Sequence, residues 1–258
     1  MGGRRLRGPI FVSVLVVLVA SACTPAPGAS PAGTEAPSVA PAPVVLVPGW
    51  EFGCIARSDD WDAWRDAFVA RGLPEDQFVV VHYDSCQPNR RTAQMVGDAV
   101  SDLRARTGAP RVHLIAHSMG AISARWCLRV GECRGAVDQM VTLSGSHHGT
   151  IWAGACFLQF WGRACADMQP ESPVLAWLNE DEAPLGVGIE TWTSACELVI
   201  VPRESAFLSG AVNRDLVEDC VDHSGWKRHA PTIAAVSDRL AGAMVSDRLA
   251  ASGDPAVP

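Results

Sequence analysis

Short apolar runs, several of them rich in β-branched residues, alternate along the chain with longer stretches in which apolar residues recur every three or four positions. The short runs predict buried strands and the longer stretches predict amphipathic helices. Strands are expected at 43–47, 77–83, up to 117, at 137–143 and at 189–193, and helices at 61–71, 92–106, after 118 and from 231 onward. This alternation predicts an α/β fold, with a mostly parallel central sheet, helices on both faces and a site at the carboxyl ends of the strands.

The first predicted helix carries the clearest end signals. Asp60 can cap its start and Gly72 can close its end. Trp61, Trp64 and Phe68 follow one another at spacings of three and four, so they share one face of the helix. We expect that face to be part of the core.

The run that ends at residue 117 is followed at once by a serine between small residues and then by a helix-compatible stretch. Strand, tight turn and helix in this order expose a nucleophilic serine on a strained turn at the sheet edge. Ser118 is therefore the candidate nucleophile, with Ala116 where the usual G-x-S-x-G motif begins with glycine. A chance match is the alternative in a chain with 23 Gly, but the strand before and the helix after favour the motif.

The A-x-S-x-G variant resembles a group of secreted bacterial lipases of the α/β-hydrolase superfamily. Four further segments are similar to the actinobacterial class 2 lipases: 144–150 to G-x-P-H-H-G-T, 169–179 to Q-M-x-P-G-S-x-F-L-x-x-L-N, 197–202 to D-x-V-V-x-P, and 223–226 to H-x-G-L. The resemblance runs from Pro43 to about Leu240. It implies an α/β-hydrolase fold and a serine ester hydrolase that cleaves carboxylic esters of acyl lipids through an acyl-enzyme.

The loop after the first strand, residues 48–53, has the place that contributes to the oxyanion hole in this superfamily. The resemblance implies that the backbone N–H groups of Trp50 and Met119 bind the oxyanion. Many relatives have histidine where this chain has Pro48. Because the donors are backbone groups, this difference should not abolish the hole.

The acid and the base must follow the serine along the chain. Glu197 stands five residues before Pro202, where the related lipases have their aspartate. Asp215, Asp219 and Asp222 remain alternatives, because glutamate has one more methylene than the usual residue.

Two late histidines are candidates for the base. His223 matches the lipase segment that carries the catalytic histidine, whereas His229 beside Lys227 and Arg228 is explained by a surface cationic stretch. The earlier pair, His147 and His148, precedes the candidate acids, so we expect a structural role for both histidines.

Residues 151–188 interrupt the strand pattern with a stretch rich in tryptophan, phenylalanine and leucine. One interpretation is a small insertion that packs its aromatic side chains inward. The other is a cap or acyl-binding wall above the site. The sequence leaves both open.

The first 43 residues predict export. Arginines followed by an apolar run too short to span a bilayer form a signal peptide at 1–22. The residues before Cys23 resemble a bacterial lipobox, which implies a lipidated, membrane-anchored cysteine. A plain A-x-A cleavage site at 20–22, giving a secreted protein, is the alternative. The Pro/Ala-rich stretch up to residue 43 has the composition of a linker and favours the anchor.

Cysteine number also fits export. Of 9 Cys, removing Cys23 leaves 9 − 1 = 8, an even number that predicts disulfides in an oxidising compartment. A zinc site is disfavoured because the chain has no paired C-x-x-C spacing. From local spacing we expect four pairs, which are Cys54–Cys86, Cys127–Cys133, Cys156–Cys165 and Cys196–Cys220.

Length and charge complete the prediction. A chain of 258 residues suits one hydrolase domain, 44–258, behind the signal peptide and the linker, and we expect a monomer without metal or cofactor. The net charge of −7 disfavours a nucleic-acid partner. The competing functions are an acyltransferase or thioesterase with the same three residues, and a noncatalytic surface-binding lipoprotein.

Overall fold

A six-stranded parallel sheet forms the centre of the molecule. The computed structural model describes residues 41–51, 54, 59–154, 162–182 and 186–252, but not the side chains of 162 and 243–252. The strand order is β2-β1-β3-β4-β5-β6 and every neighbouring pair is parallel, as the alternation of strands and helices predicted. The strands are β1 Val44–Val47, β2 Phe78–Val80, β3 Val112–His117, β4 Val137–Leu143, β5 Gly188–Ser194 and β6 Val212–Leu216.

Helices cover both faces of the sheet. Successive residues of a strand point to opposite faces, and β1 shows this directly: Val45 and Val47 belong to one buried cluster, Val44 and Leu46 to another. Helices α2 and α3 contribute to the first cluster, and α1 and α6 to the second. The helices are α1 Asp62–Val69, α2 Asn89–Thr107, α3 Gly120–Val130, α4 Gly162–Asp167, α5 Pro173–Leu178 and α6 Ala230–Ser252.

Three sequence predictions about element ends are wrong. Asp60 does not cap α1, because its carboxylate accepts a hydrogen bond from Lys227 instead. The strand expected over 77–83 is limited to β2, since Glu75–Gln77 forms a 3₁₀ turn before it. Helix α2 begins at Asn89, three residues before its expected start.

Strand β6 is absent from the sequence predictions. It lies at the edge of the sheet and its first three residues are exposed, so its sequence, VNRDL, lacks the apolar run of a buried strand. The strand is defined by pairing with β5 alone.

Three of the four expected disulfides are confirmed: Cys54–Cys86, Cys127–Cys133 and Cys196–Cys220. Cys165 is also disulfide-bonded, and its expected partner Cys156 lies outside the described residues. Within the described ranges, the one cluster of three metal-ligand side chains is Cys54, Asp84 and Cys86. Its two sulfurs are already bonded to each other, so they cannot bind zinc as thiolates.

The described part of the 151–188 insertion packs on the α2 and α3 side of the sheet. Leu175 and Leu178 are buried in the core cluster that those helices share. The buried guanidinium of Arg125, on α3, donates hydrogen bonds of 2.8 Å to the Leu178 carbonyl and to the Asn179 side chain. Three aromatic residues of the insertion, at 157, 160 and 161, lie outside the described residues.

Gly120, the first residue of α3, lies where a side chain has no room. A Cβ there would lie 2.3 Å from the Pro48 carbonyl oxygen and 2.4 Å from that of Val47. Both obstacles are backbone atoms, so Gly120→Ala should destabilise the fold by about 2 kcal/mol or more. Chemical denaturation measures the effect. Gly242→Ala, in α6 with nothing within 4 Å of the added carbon, is the matched control.

The control should raise stability by roughly 0.5–1 kcal/mol, because alanine loses less conformational freedom than glycine in a helix. Equal stabilities for Gly120→Ala and the wild type would contradict the close approach of α3 to β1.

Candidate functional site

Ser118 lies in the turn between β3 and α3, near the middle of the sheet. Its backbone has a positive φ of 53°, a conformation that costs energy for any residue with a side chain. The loop after β1 passes directly against it, since a Cβ on Gly49 would lie 2.6 Å from the Ser118 Cβ. Ser118 is 5% exposed. The turn thus holds the hydroxyl in one place beside the loop.

His223 reaches Ser118 from the segment between β6 and α6. Its Nε2 lies 2.9 Å from the Ser118 Oγ, across 105 residues of sequence. The other ring nitrogen, Nδ1, lies 3.0 Å from each carboxylate oxygen of Glu197. The three side chains that the sequence singled out therefore form one continuous line of hydrogen bonds.

Glu197 is buried and held from its other side by the backbone. Its Oε1 accepts hydrogen bonds from the N–H groups of Val199, at 2.8 Å, and Ile200, at 2.9 Å. Burial by itself raises the pKa of this carboxyl, but the hydrogen bond and the charge of His223, with smaller contributions from Ser144 and Ile200, lower the pKa to about 2. Glu197 is therefore a carboxylate at neutral pH.

The alternative acids are engaged elsewhere or exposed. Arg203 binds Asp215 at 3.0 Å, and the Asp222 carboxylate accepts hydrogen bonds from the N–H groups of Ser224 and Gly225. Asp219 is exposed. The line of hydrogen bonds from Ser118 passes through Glu197 and not through these aspartates.

The other histidines have contacts of their own. His147 is buried with its Nε2 2.9 Å from the Thr142 Oγ1, and the His148 Nε2 lies 2.9 Å from a carboxylate oxygen of Glu182. His229 contacts the Thr232 hydroxyl at 2.9 Å, at the start of α6. The prediction of a surface cationic stretch around His229 is wrong for Lys227, because this residue is buried.

The loop that carries Trp50 is fixed at several points. The Tyr83 hydroxyl bonds the carbonyls of Pro48 and Gly49, and the Ser85 hydroxyl accepts a hydrogen bond of 3.1 Å from the Glu51 N–H. The Cys54–Cys86 disulfide ties the end of the same loop to the segment after β2. These contacts hold the loop against Ser118. Met119 lies at the N-terminus of α3, where backbone N–H groups have no partner within the helix.

A buried cation joins this loop to the segment of His223. The Lys227 ammonium donates hydrogen bonds of 2.7 Å to Glu51 and 2.9 Å to Asp60. Burial tends to lower the pKa of this amine, but the two carboxylates raise it above its usual value. The lysine thus remains charged and paired between the two loops.

Two further contacts fix the acid and base segments. The Trp226 indole N–H donates a hydrogen bond of 2.7 Å to the hydroxyl of Ser144, itself at a positive φ of 43°. The Cys196–Cys220 disulfide begins next to Glu197 and ends three residues before His223. Sequence reasoning missed Ser144, Trp226 and Lys227 as parts of the site, because no spacing pattern links residues that meet only across the sheet.

An apolar patch lies beside Glu197. We define it by its four exposed residues Ile151, Trp152, Leu198 and Val199. The Trp152 indole N–H donates a hydrogen bond of 3.0 Å to the Leu198 carbonyl, which joins the two halves of the patch. Trp152 remains 53% exposed and Leu198 74% exposed. The patch therefore presents apolar side chains to solvent, and two of them, Leu198 and Val199, directly follow Glu197 in the chain.

Comparison with known proteins finds similarity in structure only. No protein-family model and no curated protein matches the chain. Lipase B of Aspergillus fumigatus is similar with a TM-score of 0.63 at 17% identity, over 78% of this chain and 52% of the lipase. The mature lipase BlEst2 of Bacillus licheniformis gives 0.59 at 16% identity, over 80% and 94%. The lin2722 product of Listeria innocua gives 0.55 at 11% identity, over 76% and 92%.

The chain thus spans about half of the length of the fungal lipase and nearly all of the Bacillus enzyme. Together with the parallel sheet, these likenesses establish the α/β-hydrolase fold that the sequence predicted.

The disulfides fit an exported protein. Among the helices of the described part of the chain, none combines the length and apolarity needed to cross a membrane.

Proposed function

We propose that this protein is a serine ester hydrolase that cleaves carboxylic esters of acyl lipids through an acyl-enzyme. The observation that carries the proposal is the line of hydrogen bonds from the Ser118 hydroxyl through both nitrogens of His223 to Glu197. A serine hydroxyl needs a base within reach, and the base needs an oriented partner, to act as a nucleophile at neutral pH. The α/β-hydrolase fold of the two lipases named above is compatible with this activity.

In the proposed reaction the Ser118 Oγ attacks the ester carbonyl while His223 accepts its proton through Nε2. The Nδ1–H of the resulting imidazolium is held by Glu197, whose low pKa keeps it a carboxylate. The backbone N–H groups of Trp50 and Met119 bind the oxyanion. His223 then passes the proton to the leaving alcohol, and a water molecule repeats the sequence on the acyl-enzyme.

The apolar patch supports an acyl substrate. Exposed apolar side chains that cluster beside a polar site mark surfaces that bind apolar groups. Trp152 and Leu198 are the most prominent members, because they contact each other and lie on the acid side of the site. We propose that the patch and the insertion 151–188 form the wall that receives the acyl chain. The assignment to the actinobacterial class 2 lipases belongs to the same proposal and rests on the sequence segments alone.

The activity is tested with a fluorophosphonate, which forms a covalent bond with an activated serine. We expect the folded protein to be labelled at Ser118 and to hydrolyse a short-chain p-nitrophenyl ester. Ser118→Ala should prevent labelling and lower turnover by at least about a thousandfold. Ser224→Ala, which changes an exposed serine next to His223, is the matched control and should keep both properties.

A folded wild-type protein that is neither labelled nor active would contradict the proposal and favour the noncatalytic surface-binding lipoprotein. Labelling with faster transfer to an added alcohol than to water would instead identify an acyltransferase. Faster cleavage of thiol esters than of oxygen esters would identify a thioesterase.

The identity of the acid gives a second prediction. Glu197→Gln should lower the turnover of the same ester roughly 10³–10⁴-fold, because an amide cannot stabilise the imidazolium. The fold should be kept, since the amide oxygen can still accept the hydrogen bonds of Val199 and Ile200. Glu197→Asp should retain partial activity. Turnover is measured on protein whose folding is checked by circular dichroism.

The controls are Asp215→Asn, Asp219→Asn and Asp222→Asn, each expected to stay within about threefold of wild type, since none of these carboxylates lies in the line of hydrogen bonds from Ser118 and an amide oxygen can still accept a hydrogen bond. If one of them loses activity while Glu197→Gln does not, that aspartate is the acid.

We further propose that the exported protein is a monomer anchored through lipidated Cys23, with 23–43 as the tether and 1–22 removed. Residues 1–40 of these segments lie outside the described residues. Cys23→Ala should move the protein from the membrane fraction to the medium or block its processing. A mature wild-type N-terminus at Thr24 or later, without lipid in mass spectrometry, would show a secreted protein instead.

A further inference from the structure

His117, the residue before Ser118, contacts the base and lies against the loop of Trp50. Its Nε2 lies 2.8 Å from the main-chain oxygen of His223, and the two imidazole rings are 4.8 Å apart between centroids. A Cβ on Gly49, in the loop of Trp50, would lie 3.2 Å from the His117 Nδ1. The ring is 3% exposed and packs edge-on against Trp61, 5.4 Å away. His117 therefore fills the space between the nucleophile turn, the Trp50 loop and the base.

Burial and the contact with the His223 carbonyl decide which nitrogen of the His117 ring carries a proton. Burial, and to a smaller extent the neighbouring His223 ring, lower the pKa of His117 to about 3, although the hydrogen bond with the His223 carbonyl acts in the opposite direction. The ring is therefore neutral at working pH and has a single N–H. A carbonyl oxygen can only accept, so the proton is on Nε2. Among the described residues, Nδ1 has no hydrogen-bond partner.

Resting on the proposed function, we propose that His117 is a positioning residue, whose Nε2–H holds the main chain of His223 so that the base reaches Ser118 and Glu197 together. The His223 ring must satisfy two hydrogen bonds at once, to Ser118, which follows β3, and to Glu197, which follows β5. Its carbonyl lies on the same residue as the ring, so fixing that oxygen restricts where the ring can go. A base that moves by about 1 Å loses much of its effectiveness.

The alternative is a histidine that merely fills the core. His113 provides the comparison, because it lies on the same strand and is also buried, and burial lowers its pKa to about 4. The Asp138 carboxylate lies 3.9 Å from its ring, and within the described part of the chain the ring has no hydrogen bond to Ser118, Glu197 or His223. Removing His113 thus measures the general cost of losing a buried imidazole from β3.

The test compares His117→Met with His117→Gln. The two side chains are similar in length and flexibility, but only glutamine has an N–H donor near the position of Nε2. We expect His117→Met to lower kcat for the p-nitrophenyl ester about tenfold or more with little change in KM, since it leaves the His223 carbonyl unsatisfied. His117→Gln should recover most of the loss. His113→Met should lower stability but leave kcat within about twofold of wild type.

Proton NMR gives a readout that does not depend on turnover. The downfield resonance of the His223 Nδ1–H, held by Glu197, should shift or broaden in His117→Met and return in His117→Gln. If methionine and glutamine variants have equal kcat and equal resonances, or if His113→Met loses as much kcat as His117→Met, the positioning role is wrong.

Two further measurements complete the test, one on the wild type alone and one that compares the wild type with His117→Met. Nitrogen-15 NMR should find His117 as the Nε2–H tautomer at neutral pH, and the Nδ1–H tautomer would overturn the inference even if no variant folds. Phosphonate labelling of Ser118 distinguishes a failure of the positioning role from a failure of the proposed function. Labelled wild type with an unaffected His117→Met contradicts only the positioning role, whereas unlabelled, inactive wild type contradicts the proposed function and this inference with it.

Discussion

The strained turn at Ser118 is the constraint around which the rest of the molecule is arranged. A positive φ at a residue with a side chain costs energy, and it persists only where the surrounding structure leaves no other conformation. Here the surroundings are close: Gly120 lies against the carbonyls of Val47, in β1, and of Pro48, just after it, and Gly49 lies against Ser118 itself. Because β1 and β3 are neighbours at the centre of the sheet, the pairing of two buried strands is what imposes the turn.

His223 and Glu197 must also be held in place relative to Ser118, and this needs further contacts because both residues come from segments that follow other strands. The structure supplies them as covalent and buried polar links between loops. The Cys196–Cys220 disulfide joins the acid segment to the base segment, and Lys227 joins the base segment to the loop of Trp50. Burying a lysine charge costs free energy unless the charge is paired. Lys227 is paired with Glu51 and Asp60, so this link forms only when the segments that carry these carboxylates are in place.

Burial also sets the charges within the site. Burial keeps His117 neutral, so its ring has a single N–H, which it donates to the His223 carbonyl. At Glu197 the hydrogen bonds to the carboxylate outweigh burial and keep that group ionised. Two buried groups that both contact His223 thus differ in charge, since His117 is neutral and Glu197 is ionised. Outside this polar line, the patch of Ile151, Trp152, Leu198 and Val199 leaves apolar surface exposed beside the acid.

The sequence by itself predicted the parallel sheet, the helices on both faces and three of the disulfides, and it favoured, over named alternatives, the three residues that form the hydrogen-bonded line. Those features depend on local patterns: apolar periodicity, a serine between small residues, and segments in a fixed order. The structure alone revealed β6, whose polar edge sequence has no buried face to mark it. It alone assigned Asp60 to Lys227 rather than to a helix cap, and it alone brought His117, Ser144, Trp226 and Lys227 around the line. The physical reason is that these contacts join residues far apart in the chain, and only the packing of the strands and loops decides which of them meet.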